Sequence, residues 1–394
     1  MTDLAQDLSL LGHEITVVTT TPHNNVDSEA RREHALYPFW GRWVYRSTIG
    51  TIHAFHVHMR PKGSRTLGRM WDFLLFHILS IVVVLRLGNC WDVIFAPSPP
   101  LSIGFVAWLL GFLKNIPYIY NVQEIHPDSL IDLGILRNPI LIGFARHMER
   151  FIYNRARALV VISEHFAQNI NAKRVPLDKI HVIPNFVDTD WITPQPRQNA
   201  FSAEHNLNMH FVLLYSGNLG WAQDIHTLLE VAEALREQAS LKVVIIGGGV
   251  YFTEAQRVIR MKQLSNVLLM PYQPRSLVPQ IYGTADICWV GLRSRMAYTH
   301  VPSKVYTIMS AARPILLAAE TDSEVARLIR ASNCGFIVPP ENSEAVIETI
   351  KMALDNRERV CQLGNNGRRF VLDHFARSVV VHQYHKLFIE INDQ

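Results

Sequence analysis

Two glycine-rich turns in the second half of the chain have the composition of a phosphate-binding loop. One follows the apolar run 211–216 and the other follows the apolar run 242–246. A strand that ends in such a turn and feeds a helix presents free backbone N–H groups and the positive end of a helix dipole, which suits a diphosphate. The residues concerned are Gly217, Asn218, Leu219 and Gly220 in the first turn and Gly247, Gly248 and Gly249 in the second. The triplet is the weaker signal, because it also forms plain turns and lacks the GxGxxG spacing of a nicotinamide dehydrogenase.

Two basic residues could neutralise such an anion. Lys304 follows Pro302 and Ser303 at the start of a predicted helix, where a cation and a helix N-terminus act together on a phosphate. Arg293 lies just beyond the apolar run 287–290 and is the second candidate. The alternative for Lys304 is an ordinary surface lysine at a helix start.

Side chains with acid–base chemistry follow a buried strand in the first half. Glu124 and His126 come directly after the run 118–122, at the edge of a sheet where open α/β sheets bind ligands. Either side chain can take or position the proton of a hydroxyl group, and Glu124 is the first choice. Asp92 and Ser98 border a neighbouring strand end and are predicted to shape the same pocket. The alternative for Glu124 is a loop carboxylate that only caps the turn at Ser129.

No metal site is expected from the histidines or the cysteines. His53, His56 and His58 are not spaced with carboxylates in a way that calls for metal, so they are predicted to be surface strand residues. The cysteines lie far apart, beside apolar sequence, and are predicted to be buried free thiols of a reducing compartment. They are Cys90, Cys288, Cys334 and Cys361.

Short Val/Ile runs alternate with helix-like segments along the whole chain, which is typical of parallel sheets covered on both faces. In the first half, helices are predicted over 2–11, 71–87, 103–114 and 139–155, and strands over 14–19, 92–96, 118–122 and 158–162. The second half repeats the scheme from a helix at 224–238 to a last helix at 376–391. The sequence thus predicts two doubly wound α/β domains, 1–192 and 201–372, joined by a stiff Pro-containing linker at 193–200. The C-terminal segment 373–394 is expected to pack back on the first domain.

Length and composition fit an ordinary cytosolic protein. The 394 residues are 48% hydrophobic and 18% charged, which is enough for two domains with full cores. The N-terminal residues resemble an amphipathic helix rather than a basic and then apolar leader, so a cytosolic site of action is expected.

The formal net charge of +4 is concentrated in a basic and aromatic segment, 31–87. Such a surface suits an anionic membrane or a phosphate-bearing acceptor. The apolar run 73–85 within it is too short to span a bilayer, which needs about 20 apolar residues. It is predicted to be either a buried crossover helix or a helix in the membrane interface. Nucleic acid is not an expected partner, because no recognised binding motif accompanies the charge.

Short motifs spread in order over nearly the whole chain resemble those of the GT-B fold glycosyltransferases of family 4, the retaining nucleotide-sugar transferases, and among them the bacterial surface-polysaccharide type. The matching pieces are 10–19, 91–94, 161–164, 183–185 with 187–188, 215–220, 285–286, and 301–306 leading into 312–314.

The resemblance implies two Rossmann-like domains that face each other across a cleft, with a nucleotide sugar as donor and a lipid-linked or similar glycan as acceptor at the inner membrane face. A metal-independent transferase needs fixed hydrogen-bond donors and cations at the departing phosphate, and no cofactor is expected. The base is expected near Tyr272 and Gln273, at a strand end that offers backbone N–H and C=O groups. UDP is slightly favoured over GDP.

This sequence departs from the family pattern in three ways. The first strand and its Gly-rich loop precede the first helix in the family and are not found here, so a shortened chain with reduced or absent activity is one expectation. The family's Arg and Lys in the loop of the donor domain are replaced by Asn218 and Gln223. Its paired glutamates fall on Thr299 and Thr307. Two alternatives therefore remain open: a degenerate paralogue that binds without catalysis, and a GT-B sugar-nucleotide 2-epimerase.

Overall fold

The computed structural model describes residues 1–22, 35–60, 66–88, 91–294, 296–298 and 302–392, without the side chains of Thr66, Leu67, Arg69 and Met70. Two α/β domains are present, as predicted. Cys90, Thr299 and much of the basic segment, including Arg31, Arg32, Lys62 and Arg65, lie outside the described residues.

The C-terminal domain is built on one parallel sheet with strand order β11-β10-β9-β12-β13-β14. Its strands are β9 (Phe211–Asn218), β10 (Leu241–Gly248), β11 (Val267–Met270), β12 (Ile287–Gly291), β13 (Ile315–Ala318) and β14 (Gly335–Val338). Its helices are α7 (Ala200–Glu204), α8 (Ile225–Ala234), α9 (Phe252–Met261), α10 (Val278–Thr284), α11 (Lys304–Ser310), α12 (Glu324–Ser332), α13 (Ser343–Asp355) and α14 (Arg357–His374). Because apolar side chains cover both faces of the sheet in two separate clusters, the carboxyl ends of the strands are left to form the site.

The N-terminal domain contains two sheets, β1-β4-β3-β2 and β5-β6-β7-β8. Its strands are β1 (Thr16–Thr20), β2 (Tyr37–Trp40), β3 (Val44–Ile49), β4 (Ile52–Val57), β5 (Ile94–Pro97), β6 (Tyr118–Val122), β7 (Ala158–Val161) and β8 (Ile180–Val182). Its helices are α1 (Thr2–Leu10), α2 (Thr66–Arg86), α3 (Ser102–Lys114), α4 (Asp128–Asp132), α5 (Pro139–Arg155) and α6 (Glu164–Ala172). In the part of the chain that the structure describes, β1 pairs with β4 and β5 pairs with β6, so no strand joins the two sheets.

Residues 37–57 form strands that the predicted parallel scheme does not include. There β2, β3 and β4 form an antiparallel meander, and only β1 with β4 is parallel. Gly41 (φ +51°) and Gly50 (φ +59°) lie in its two tight connections, where the left-handed backbone favours glycine. Because this segment is rich in basic and aromatic residues, the alternation of buried and exposed residues along its strands was not apparent from the sequence.

The C-terminal helix α15 (Arg377–Asn392) lies on the N-terminal domain. Its apolar residues pack with Leu4 and Leu8 of α1 and with residues of β6 and β7. Arg377 donates to both carboxylate oxygens of Asp7 and lies 3.2 Å from Asp188. One guanidinium therefore ties the C-terminal helix to α1 and to the end of the N-terminal domain.

The interdomain linker is packed on the C-terminal domain. Arg313 donates to the carbonyl of Gln195 at 2.7 Å, and Arg197 pairs with Asp286 at 3.0 Å. Arg368 donates to the carbonyl of Ile192 at 3.0 Å. Three arginines thus hold the linker against this domain.

Candidate active site

The two glycine-rich turns lie side by side at the carboxyl edge of the C-terminal sheet. Gly217 pairs in register with Gly247, and the N–H of Leu219 donates to the carbonyl of Gly248 at 2.8 Å. A Cβ at position 247, where φ is +155°, would lie 1.8 Å from the carbonyl oxygen of Gly217. Only glycine therefore fits at position 247, and the two turns form one closely packed surface.

The side chain of Lys304 reaches over the first of these turns. A Cβ at position 217 would lie 3.1 Å from Lys304 Nζ, so the ammonium rests directly against Gly217. Lys304 Nζ donates to Gln223 Oε1 at 3.3 Å and lies 4.0 Å from the centroid of the Tyr215 ring. The structure thus brings together residues of β9, its loop and the start of α11, which are distant in sequence.

The environment of Lys304 is short of negative charge. Burial lowers the pKa of the Lys304 ammonium to about 7. Tyr215 supplies the face of its ring, and its hydroxyl donates to the carbonyl of Asn218 at 2.6 Å. Among the described residues, Lys304 contacts an amide oxygen and a ring but forms no ion pair with a carboxylate, so this half-buried cation is suited to receive an anionic ligand.

The remaining predicted donor-side residues border this surface. Tyr272 packs its ring against Gly248, and its hydroxyl lies 3.4 Å from the carbonyl oxygen of Gly248. Gln273 Nε2 donates to the carbonyl of Pro271 at 2.9 Å. Ser303 is exposed, and its side chain makes no cap hydrogen bond at the start of α11. Tyr272 and Gln273 are therefore at the β10–β11 side of the glycine turns.

Asn218 and the third glycine of the triplet are packed together. A Cβ at position 249, where φ is +135°, would lie 2.5 Å from Asn218 Oδ1. The Asn218 amide nitrogen in turn lies against Gly220. Asn218 is exposed, and its neutral amide lies between the two turns, close to Gly249 and Gly220.

On the N-terminal side, Glu124 and His126 follow β6 as predicted. Glu124 Oε2 lies 3.8 Å from His126 Nδ1, and Ser129 Oγ lies 3.3 Å from the same nitrogen. The Glu124 side chain is 39% exposed and the His126 side chain 14%. The pair therefore offers an accessible carboxylate backed by a more enclosed imidazole.

Ser98 and Asp92 lie at opposite ends of β5. Ser98 comes directly after the strand, where its hydroxyl accepts from the N–H of Gln123 at 3.0 Å and so braces the Glu124 loop. Asp92 precedes the strand and is therefore at the amino edge of the sheet. Because four extended residues separate the two ends by roughly 13 Å, the structure does not bring Asp92 to the carboxyl edge where Ser98 and Glu124 lie.

An ionic cluster centred on the buried Glu149 lies next to the loop that carries Glu124 and His126. Lys173 Nζ lies 2.6 Å from Glu149, which is 1% exposed, and 2.8 Å from Asp128 at the start of α4. Burial raises the pKa of Glu149, and Lys173 opposes this. The cluster joins α4, α5 and the end of α6 just after His126.

A pocket of about 590 Å³ opens between the domains. Its walls come from α4 and the segment after it and from loops at the carboxyl ends of β9, β12 and β14. They include Asp132, Leu133, Ile135, Trp221, Arg293, Ser294, Met296 and Glu341. Arg293 Nε lies 3.6 Å from Glu341 Oε1, so the candidate cation Arg293 faces this pocket already paired with a carboxylate.

Within the described residues, no group of three His, Cys, Asp or Glu side chains could hold a metal ion. Within the same residues, no helix is long and apolar enough to cross a membrane. Thr307, at one of the two positions where the family carries glutamate, is half-buried in α11.

Comparisons with known proteins agree with this geometry. A glycosyl transferase 4-like domain matches residues 1–185, and the glycosyl transferases group 1 domain matches residues 197–370. The chain is 25% identical to the probable glycosyltransferase WbjE of Pseudomonas aeruginosa, over 76% of this chain and 72% of that protein. It is 22% identical to the putative colanic acid biosynthesis glycosyl transferase WcaI of Escherichia coli, over 89% of this chain and 87% of that protein.

Solved structures show the same fold. Anabaena HepE in complex with UDP has a TM-score of 0.66 at 14% identity, over 85% of this chain and 86% of HepE. WaaG, a glycosyltransferase involved in lipopolysaccharide biosynthesis, has a TM-score of 0.68 at 12% identity, over 98% of this chain and 94% of WaaG. Two facing Rossmann-like domains with glycine-rich turns at one sheet edge are the architecture of the GT-B fold, and the family matches assign the chain to the glycosyltransferases of this fold. This chain belongs to that class, in its family 4 type, as its sequence motifs predicted.

Sequence reasoning missed two residues that the structure brings to the site. Tyr215 lies under Lys304, and Trp221 lines the interdomain pocket with 58% of its surface exposed. Trp221 carried a readable signal, because a large aromatic residue directly after a glycine turn has no strand or helix face in which to be buried. Tyr215 carried none, since its position within β9 predicts only a core residue.

Proposed function

We propose that this glycosyltransferase moves a sugar, with retention of anomeric configuration, from a nucleoside diphosphate donor to a lipid-linked glycan in cell-surface polysaccharide biosynthesis. The proposal rests above all on the Lys304 ammonium lying against Gly217 at the end of β9. The glycine backbone lets a diphosphate approach closely, and the ammonium of the half-buried Lys304 offsets its negative charge. UDP is favoured slightly over GDP.

The transfer breaks the bond between the anomeric carbon and the departing phosphate oxygen and forms a bond from that carbon to the acceptor oxygen. The nucleoside diphosphate leaves with the electron pair, and Lys304 with the turn 217–220 stabilises its charge. Glu124 receives or positions the acceptor proton, with His126 behind it at 3.8 Å. The base lies toward Tyr272 and Gln273.

Acceptors anchored in lipid require an enzyme at a membrane surface, and the N-terminal domain carries a suitable face. Trp71, Leu74, Ile78 and Leu85 form an exposed stripe along α2, whose other side packs on the domain. The exposed part continues on α3 with Phe112, which is 73% exposed. Such a concentration of large apolar side chains on one domain marks an interaction surface.

Helix α5 extends this face. Ile140 is 79% exposed and Phe144 is 66% exposed, and both lie in the first turns of the helix. A ring contact of 4.8 Å between Trp108 and Phe151 joins α3 to α5. The exposed Arg155 lies on the same side of α5, with its guanidinium 5.7 Å from the centroid of the Phe151 ring. Exposed apolar side chains with an arginine beside them suit an anionic lipid surface.

Nucleotide binding tests the donor half of the proposal. Titration calorimetry of the full chain with UDP and with GDP should give binding of at least one of them, weakened in Lys304→Ala. Failure of the parent chain to bind either nucleotide would overturn the donor site.

Vesicle flotation tests the membrane half. The full chain should float with vesicles that contain phosphatidylglycerol and less with phosphatidylcholine alone, and added salt should weaken the difference because it screens charge. Phe144→Glu should reduce flotation, whereas Met209→Glu, at an 87% exposed site of the C-terminal domain, should not. Equal flotation with both lipids, or no effect of Phe144→Glu, would contradict the proposed surface.

A further inference from the structure

The interdomain pocket contains an aromatic residue that neither the donor site nor the acid–base pair uses. Trp221 is 58% exposed, although its ring is held edge-on against Tyr251 with centroids 5.3 Å apart at 71°. Tyr251 is in turn held by His226, whose ring centroid is 5.4 Å away. The indole is therefore braced by its neighbours while most of its surface remains open to a ligand.

The backbone under Trp221 is also fixed. The N–H of Arg293 donates to the carbonyl of Ala222 at 3.0 Å, and Gln223 forms an antiparallel bridge with Leu292. The N–H of Asp224 donates to the carbonyl of Gly291 at 3.1 Å. The loop that carries Trp221 is thus joined to the loop that carries Arg293, so the two side chains are presented together on a rigid support.

Polar side chains of the pocket surround this aromatic residue. Arg293 and Glu341 are each 47% exposed and lie 3.6 Å apart, and Asp132 approaches from the other domain. A pyranose ring has one face of C–H groups, which packs on an aromatic plane, and a rim of hydroxyl groups. Arginine and carboxylate side chains can donate to and accept from neighbouring hydroxyls of that rim. The pocket therefore offers both kinds of contact that a sugar requires.

The pocket is lined by residues other than the two glycine-rich turns and Lys304. Tyr272 and Gln273 lie at the β10–β11 side of the turn 217–220, whereas the pocket is lined from the loops after β12 and β14. The residues of its second wall, Asp132 to Ile135, follow Glu124 and His126 closely in sequence. A ligand there would lie toward the acceptor side of the cleft.

We propose that this pocket, with Trp221 as its stacking platform, is a binding subsite for a pyranose unit of the acceptor glycan. The inference rests on the proposed function, since it needs an acceptor that is a glycan. It adds a specificity-determining residue, Trp221, whose contact with the sugar ring selects pyranoses that present an unhindered C–H face.

Saturation-transfer NMR on the full chain tests the subsite, with and without UDP. The probes are methyl glycosides of glucose, galactose, mannose, N-acetylglucosamine and rhamnose. At least one should receive saturation, strongest at the protons of one ring face. Trp221→Ala should weaken its binding about tenfold, the effect of losing one aromatic contact. Trp221→Phe, which keeps a ring, should retain most of it, and Met209→Ala should behave as the parent.

Calorimetry with UDP on the same variants separates the two proposals. UDP binding should be equal in the parent, Trp221→Ala and Trp221→Phe. Loss of UDP binding in Trp221→Ala would assign the indole to the nucleobase and overturn the subsite. Absence of saturation transfer to every glycoside in a parent chain that binds UDP, or transfer unchanged in Trp221→Ala, would overturn it as well. A parent chain that binds glycosides but neither UDP nor GDP would retain the subsite and overturn the proposed donor.

Discussion

The Lys304 ammonium lies 4.0 Å from the centroid of the Tyr215 ring and against Gly217, at the end of the first strand of the C-terminal domain. Its hydrogen bond to Gln223 is to a neutral oxygen at 3.3 Å. Burial lowers the pKa of Lys304 to about 7, and no carboxylate in the described part of the chain is paired with it. Near pH 7 and without a bound anion, Lys304 is therefore partly neutral. A bound anion would favour its charged form.

The affinity for a nucleotide sugar should depend on pH through Lys304. Below about pH 6 the lysine is already charged, so the affinity for UDP-glucose should be constant there. Above pH 7 binding must also take up a proton, and the affinity should fall by up to about tenfold per pH unit. The diphosphate of UDP-glucose has no ionisation near neutral pH, so calorimetry between pH 5 and 9 reports the titration of the protein. Lys304→Arg should remove the dependence, and an equal slope in that variant would refute the assignment.

Lys304 and Glu124 should affect different kinetic quantities. Lys304→Ala should weaken donor binding by roughly 1.5–3 kcal/mol, because it removes a charge-assisted contact to phosphate. Glu124→Gln should leave donor binding close to that of the parent and reduce turnover, because the carboxylate matters as the acceptor hydroxyl gives up its proton. Donor titration and steady-state transfer assays measure the two effects. If Glu124→Gln turns over like the parent, His126 becomes the residue to test.

Lys173→Met should destabilise the N-terminal domain by about 3–5 kcal/mol, because Glu149 would be left buried without its cation. Desolvation raises the pKa of Glu149, so in the variant its neutral form is favoured in the folded state. The loss of stability should therefore be smaller at pH 5 than at pH 8. Urea unfolding at both pH values measures it. Lys262→Met, which breaks an exposed pair with Glu233, is the matched control and should cost under about 1 kcal/mol.

Gly247→Ala should destabilise the C-terminal domain by about 1–3 kcal/mol, since the added methyl group would collide with the carbonyl oxygen of Gly217. Gly143→Ala is the contrasting change, because its methyl group would meet no atom within 4 Å. That variant lies inside α5 and should gain about 0.5–1 kcal/mol from helix propensity. Thermal unfolding of both proteins measures the difference. Equal behaviour would contradict the close approach of the two turns.

The elements of both domains were largely readable from the sequence. The helix at 139–155 and the strand at 118–122 have the predicted bounds, because each is a continuous apolar or periodic run with clear ends. The meander at 37–57 was not predicted, since its residues are exposed and basic and its pairing is set by contacts between neighbouring strands. The family could be recognised from the sequence because its motifs lie at strand ends, where the residues that form the site are also neighbours in sequence.

The amino-acid sequence alone determined the fold class, the two-domain order, and the positions of the glycine turns and of Lys304, Glu124 and His126. Only the tertiary structure decided what surrounds each of them. Asp92 and Ser98 are close in sequence, yet they lie at opposite ends of one strand, because a strand carries its two ends to opposite edges of the sheet. Lys304 and Tyr215 are far apart in sequence and meet because the parallel sheet brings β9 and the start of α11 to the same edge. Burial and pairing depend on such long-range contacts, which no local pattern of residues encodes.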